Sequence, residues 1–295
     1  MSGIPTFSVI IPTYNRPRSL RACLQALIQQ SYSKSELEIV VVDDGSIPPI
    51  GDTLQTEFPG AIASLIRSPQ NEGPASARNR GAEQARGKYF AFIDDDCLPD
   101  RNWLSKLELK LGTSPHIAVG GGIISGGQDM FSAASHVILV RAYRYYNESG
   151  GAPRFFASLN LAVPACGFRE IGGFDPAFRT SEDREFCTRW IRRGNGLAFA
   201  PEASVVHSYA PGFRAFLYRH YSYGKGAYRY RSMEARNRGE RVKLESPAFY
   251  MRLIHPSKAT QSDPGSAGIF VLTVVAQAAS LLGFMAERRL MKSGR

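Results

Sequence analysis

Tyr89-Phe90-Ala91-Phe92-Ile93 runs straight into Asp94-Asp95-Asp96. A short run of aromatic and β-branched residues reads as a buried strand. Carboxylates crowded at its end repel one another unless positive charge lies between them. A divalent cation on hard oxygen ligands is the usual remedy. In open α/β sheets, ligands bind at the carboxyl ends of the strands, so the triplet points to a metal site at a ligand crevice. The plain alternative is a solvated acidic turn ahead of Pro99, and the flanking pattern decides between them.

Upstream, Phe7–Pro12 and Leu37–Val42 are compact apolar strands. Between them Leu20, Cys23, Leu24, Leu27 and Ile28 recur at helical spacing within Arg18–Gln30. Ala61–Ile66 is a third strand and Ala75–Ala85 a helix, which makes Tyr89–Ile93 the fourth strand. This alternation predicts βαβ units and a mostly parallel sheet with helices on both faces, and strands apolar on both sides agree with it. Downstream, Trp103–Leu111 and Glu182–Arg193 are predicted helices, and Ile117–Ile124, Leu159–Val163 and Ala203–His207 predicted strands. Residues 128–150 carry no clear period.

Composition narrows the class. Apolar residues make up 43% and charged residues 21% of the 295, which supports a packed core and excludes a disordered chain. The net charge of +10 fits phosphorylated substrates, anionic lipid or nucleic acid. Basic residues crowd Arg214–Arg241, where Phe213–Arg231 interleaves them with tyrosines. That stretch fits a lipid phosphate, a membrane surface or a phosphate-bearing acceptor better than nucleic acid. The four cysteines form no C-x-x-C pair, which argues against a zinc knuckle or disulfide framework and for reduced thiols in a cytosolic setting. The N-terminus lacks the pattern of a signal peptide. Residues 236–265 read as a polar connector. Ala267–Ala286 is uncharged and about as long as a bilayer is thick. A spanning or re-entrant membrane helix is one reading, a packing helix or dimer element the other. The basic residues after it favour the cytoplasmic side.

Six stretches together resemble the family 2 glycosyltransferases, inverting enzymes of the GT-A fold. They are Ser8-Val-Ile-Ile-Pro-Thr-Tyr-Asn15, Val41-Val-Asp-Asp-Gly-Ser46, Asn71-Glu-Gly-Pro-Ala-Ser-Ala-Arg-Asn79, Phe92-Ile-Asp-Asp-Asp96, Gly172-Gly-Phe-Asp175 and Ser181-Glu-Asp183. The match runs from about residue 7 to 207; each motif is weak alone, and their order and spacing are specific. The resemblance implies a Rossmann-like nucleotide-diphospho-sugar transferase domain over 1–210, a basic aromatic extension and connector over 211–265, and a hydrophobic C-terminal helix over 266–295.

It also implies roles. Pro12, Tyr14 and Asn15 leave the first strand at the ligand end, where Tyr14 offers a face for a base to stack on. Asp44 can accept the imide N–H of a uracil or thymine, which favours UDP. Arg78 is expected to face the nucleotide, together with Asp94 and Asp95. Asp94 and Asp96 match the ends of the family's D-x-D motif, with Asp96 the more direct ligand of Mg²⁺ or Mn²⁺ and His207 a late metal ligand. The ion would neutralise the departing diphosphate. Asp183 matches the catalytic base, which takes the acceptor hydroxyl's proton, and Glu182 positions it or the acceptor. Asn160 is expected to touch donor sugar or acceptor, and Gly172-Gly173 to shape the turn that presents Glu182 and Asp183. The Q-x-x-R-W motif of processive members is missing, since Phe186 stands where Gln would precede Arg189-Trp190, so one sugar is expected per turnover. The acceptor alternatives are a polysaccharide, a lipid-linked saccharide, a protein or a small molecule, and the expectation is a saccharide or lipid-linked acceptor, as in polysaccharide biosynthesis.

Two enzyme rivals fail on spacing. Leu98 occupies the Thr/Val position of a haloacid-dehalogenase D-x-D-x-T/V motif, and no G-x-G-x-x-G opens a helix. A membrane-tethered binding module on a degenerate transferase fold is opposed by the intact Asp94, Asp96 and Asp183.

Overall fold

The computed structural model describes residues 3–112, 114–127, 129–147, 151–209, 211–254 and 266–293. Part of the expected connector, 255–265, and the last two residues of the basic tail lie outside them. In chain order the elements are β1 (Phe7–Thr13), α1 (Pro17–Ile28), β2 (Leu37–Asp43), α2 (Gly51–Glu57), β3 (Ser64–Arg67), α3 (Pro74–Gln84), β4 (Tyr89–Ile93), β5 (Cys97–Pro99), α4 (Trp103–Leu111) and β6 (Ile117–Ser125). They continue with α5 (Met130–Asn147), β7 (Asn160–Pro164), α6 (Ala165–Glu170), α7 (Glu182–Arg192), β8 (Gly196–His207), α8 (Phe213–Arg238), α9 (Pro247–Ile254) and α10 (Ser266–Ser293).

The chain divides into two compact units, Met1–Ile124 with Ala152–His207, and Ser125–Gly151 with Ser208–Arg295. The first holds the sheet, whose strand order among the described residues is β3-β2-β1-β4-β7-β6-β8-β5. β3, β2, β1 and β4 run parallel, and β7 is antiparallel to β4. β1, β4 and β7 are buried along their whole length, as their unbroken apolar runs require. An aromatic cluster of Phe90, Phe92, Phe168, Phe174 and Phe186 packs beside β4, with ring centroids 4.9–6.4 Å apart. Aromatic pairs at such separations add to what area burial alone supplies.

The structure extends the sequence reading where patterning is weak. β8 begins at Gly196, seven residues before the expected strand; its first half mixes buried, half-buried and exposed positions and carries Pro201, so it shows neither an apolar run nor a clean alternation. β5 has three residues, too few for a period. The unassigned stretch 128–150 contains α5, whose buried positions include Ser132 and Ser135, so no apolar stripe marks it.

The second unit is helical. Its core gathers Ala134, Phe216, Leu272 and Ala276 from α5, α8 and α10. α8 and α10 touch backbone to backbone. A Cβ on Gly224 would lie 1.8 Å from the Ser280 carbonyl oxygen, and one on Gly283 would lie 1.9 Å from that of Tyr221. Glu287 is buried and paired with Arg229 at 2.6 Å and Lys225 at 3.3 Å.

Candidate active site

The parallel strands end on one side of the sheet, and the acidic residues collect there. β4 delivers Asp94, Asp95 and Asp96 in succession, each to a different environment. Asp95 is fully buried, and its Oδ2 accepts the Thr13 hydroxyl at 2.6 Å. Its Oδ1 is buried with no hydrogen-bond donor among the described residues, and the nearest cation is the Arg16 guanidinium at 3.3 Å. Burial pushes the Asp95 carboxyl up to about 7, against the pull of Arg16. Asp96 also binds Arg16, and its Oδ1 lies 3.3 Å from His207 Nε2. Burial works against its charge, but the hydrogen bond and charge of His207, with Arg16, hold its pKa below the ordinary carboxylate value. The register of β5 on β8 sets this pair, because Cys97 sits opposite His207 and brings Asp96 with it.

Asp94 takes a different partner. Arg78, on α3 and 3% exposed, donates Nη2 to Asp94 at 2.5 Å and Nη1 to Glu182 at 2.9 Å. One buried guanidinium thus joins the acidic triplet to the first turn of α7. The expectation that Arg78 faces a nucleotide meets a side chain already spent on two carboxylates. Glu182 is buried, and burial raises its pKa despite Arg78. Asp183 is half-buried and takes the Arg184 N–H at 2.7 Å. Desolvation first, and the neighbouring Glu182 charge second, push its pKa up to about 7.

The entry to α7 is built for this presentation. Gly172 and Gly173 both have positive φ, 80° and 69°, and a Cβ on Gly173 would lie 2.6 Å from Asn79 Oδ1. Asn79 clamps the turn by accepting the Phe174 N–H at 2.9 Å and donating to its carbonyl at 2.7 Å. Arg189 fastens it from the other side, on the carbonyls of Ile171 and Gly173. Ser181 then enters α7 at φ 70° and Asn15 leaves β1 at φ 55°, the two non-glycine residues with positive φ among those described. Such strain persists where the surrounding structure enforces it, and it collects at functional sites.

At the β1–β2 end, Pro12 is buried within β1 while Tyr14 is 40% exposed. Asn15 ties the two loops together, donating its N–H to Ser46 Oγ and accepting the Ile47 N–H, both at 2.8 Å. Asp44 is buried, and its two oxygens accept the Glu72 and Gly73 N–H groups at 3.0 and 2.8 Å. That pairing closes the loop ahead of α3, a task beyond the base contact expected of it.

Asn160 requires a correction. It is 0% exposed; Nδ2 donates to the carbonyls of Gly122 and Ala203, and Oδ1 accepts the Trp103 indole N–H, all at 2.9 Å. With those bonds made inside the sheet, it is a core residue and not a sugar contact. Conversely, the sequence reading passed over Arg16 and Thr13, which hold Asp95 and Asp96. The available signal was a cation two residues after Tyr14, in a loop facing three acids.

The donor atoms of Asp96, Cys97 and His207 lie within 4.8 Å of one another. Burial raises the Cys97 thiol well above its ordinary pKa, so it stays protonated and is a poor ligand. What remains is a carboxylate held ionised and an imidazole, beside the undonated oxygen of Asp95. This oxygen-rich set suits Mg²⁺ or Mn²⁺ better than a thiolate-seeking metal.

A sheet of this order, with an acidic triplet ending β4 and a carboxylate pair opening α7, defines the GT-A class of nucleotide-sugar transferases. Solved structures agree on the fold. A mannosyltransferase from Pyrobaculum calidifontis, in complex with GDP-Man and Mn²⁺, superposes with TM-score 0.62 at 20% identity, over 98% of this chain and 79% of that one. The S. aureus TarS fragment 1-349 does so with TM-score 0.57 at 15% identity, over 98% and 92%. Residues 8–170 match the model of glycosyl transferase family 2, and the chain belongs to that family; it is a glycosyltransferase. Glycosyltransferase AglE of Haloferax volcanii is 29% identical over 231 residues, 76% of this chain and 74% of that protein. The pre-mycofactocin glycosyltransferase of Mycobacterium tuberculosis is 29% identical over 228 residues, 75% of this chain and 46% of that longer protein.

Proposed function

We propose that the chain is an inverting, metal-assisted transferase that moves one sugar at a time from a nucleotide-diphosphate sugar to an acceptor hydroxyl. The observation that carries this reading is Arg78 bridging Asp94 and Glu182. It joins the acids we assign to the donor and the turn we assign to the base in one electrostatic unit.

Asp183 is the general base. With its pKa near 7 it takes a proton readily and is about half ionised at neutral pH, the balance that general-base catalysis needs. Glu182, held by Arg78, keeps a negative charge beside it. Tyr14 stacks on the base, and Asn15 sets the loop that carries it. Asp96 and His207 would hold Mg²⁺ or Mn²⁺, with Asp94 and Asp95 completing the negative field. When bound, the ion supplies Lewis-acid neutralisation of the leaving diphosphate. Arg16 balances Asp95 and Asp96. UDP is the favoured donor nucleotide; GDP is the main competitor, since one structural relative was solved with GDP-Man and TarS with UDP. The acceptor is a saccharide or lipid-linked saccharide, and the enzyme works at the cytoplasmic face of a membrane.

Calorimetric titration with UDP, GDP and dTDP, each with and without Mn²⁺, tests the donor site. Metal-dependent binding of one nucleotide is expected. A folded protein that binds none of the three overturns the assignment and favours a degenerate binding module.

A further inference from the structure

Helix α10 spans a stretch with mean hydropathy 2.1, long and apolar enough to cross a bilayer. A helix apolar on every face needs an apolar neighbour on every face. One face has it: Leu272, Ala276, Gly283 and Glu287 are buried against α5 and α8. The opposite face has no such neighbour among the described residues. Phe270, Val271, Val274, Leu281, Leu282 and Met285 recur at three- and four-residue steps and are 42–63% exposed. The same stripe ends in exposed Arg288, Arg289 and Lys292.

A crossing helix would take α8 with it. Phe216 meets Leu272 and Ala276, Gly224 meets Ser280, and Arg229 meets Glu287. Contacts therefore advance along both helices in the same direction, and Arg219, between Phe216 and Gly224, falls level with the middle of the apolar stretch. Cations fixed there are costly in hydrocarbon. We propose instead that α10 lies in the plane of an anionic bilayer surface. Its exposed stripe sits among the acyl chains, and Arg288, Arg289 and Lys292 meet the headgroup phosphates. This rests on the membrane placement above only in naming a bilayer as partner. Its test uses neither donor nor acceptor, so it can fail while the transferase reading stands.

The test is binding of the full-length chain to phosphatidylcholine vesicles with and without phosphatidylglycerol. Binding is expected on the anionic vesicles. Leu281→Glu with Leu282→Glu should weaken it at least about tenfold. Both positions are exposed, so circular dichroism should not change. Arg288→Glu with Arg289→Glu should weaken binding only where phosphatidylglycerol is present. Depth is read by lipid quenching of a fluorophore on Phe270→Cys or Ala278→Cys, with Cys166→Ser removing the exposed thiol. Equal, shallow depths are expected. A probe at 278 lying much deeper than one at 270, about 12 Å along the helix, means the helix crosses and overturns the proposal. So does vesicle binding unchanged by the leucine pair. A vesicle-indifferent dimer that the leucine pair dissociates assigns the stripe to a second copy instead.

Discussion

Arg78→Met should be among the most damaging single changes in the sheet-bearing unit, for a reason that can be worked through. Arg78 and Glu182 are 3% and 8% exposed, whereas Asp94 is 26% exposed. Loss of the guanidinium leaves Glu182 as a buried, uncompensated charge, which costs about 3–5 kcal/mol. Asp94 can rehydrate, so its share is below about 1 kcal/mol. Adding Glu182→Leu removes the stranded charge and should recover at least about 2 kcal/mol, a coupling visible in a double-mutant cycle. The penalty must also depend on pH. Without Arg78, the folded-state pKa of Glu182 rises further above its unfolded value of about 4.3. The folded state then holds the proton more tightly, so stability falls as pH rises through that window, by up to about 1.4 kcal/mol per unit. Below about pH 4 the penalty should largely vanish. Urea unfolding followed by tryptophan fluorescence is the assay, because the two tryptophans, Trp103 and Trp190, are both buried in this unit. A loss under about 1 kcal/mol, or one independent of pH, would refute the bridging role.

Donor turnover should rise with pH through a midpoint near 7 and level off above about 8, because Asp183 must be ionised to accept a proton; Glu182→Gln should move the midpoint down, since a like charge is removed. His207→Ala should weaken Mn²⁺ binding at least about tenfold, while Cys97→Ser should leave it unchanged, both read from free Mn²⁺ by electron paramagnetic resonance. An Asn160→Ala protein should lose about 3 kcal/mol or more of stability by the tryptophan assay, because it orphans the Trp103 indole and two carbonyls. The same variant should bind nucleotide normally where it remains folded.

The fold was legible because its strands are buried on both faces. β1, β2 and β4 announce themselves as apolar runs, and helical spacing separates the first two. The triplet after β4 was legible because three adjacent carboxylates have few structural explanations. The polar residues at other strand ends were harder, for one physical reason. A carboxylate or amide near a turn finds backbone partners as easily as a ligand does. Asp44 and Asn160 look like site residues in sequence, and both satisfy main-chain groups in the structure. Arg16 shows the converse. Its role depends on β1 and β4 being neighbours in the sheet, a relation between residues 80 positions apart that no local pattern contains.

The charges at this end of the sheet follow an order that explains their cost. Asp95 and Asp183 are both driven toward neutrality by burial, while Asp96 is held ionised by His207 and Arg16. A fold selected for stability alone would replace such groups with apolar ones of similar volume. It would also not strain Asn15 and Ser181 into the left-handed region, each beside one of the acidic motifs. Two independent departures from the stable choice, one electrostatic and one conformational, meet at the loops after β1 and before α7. Local rules are broken together where function outweighs stability. In the proposed reading the reacting centre lies between the acidic triplet and the first turn of α7, which Arg78 joins through Asp94 and Glu182.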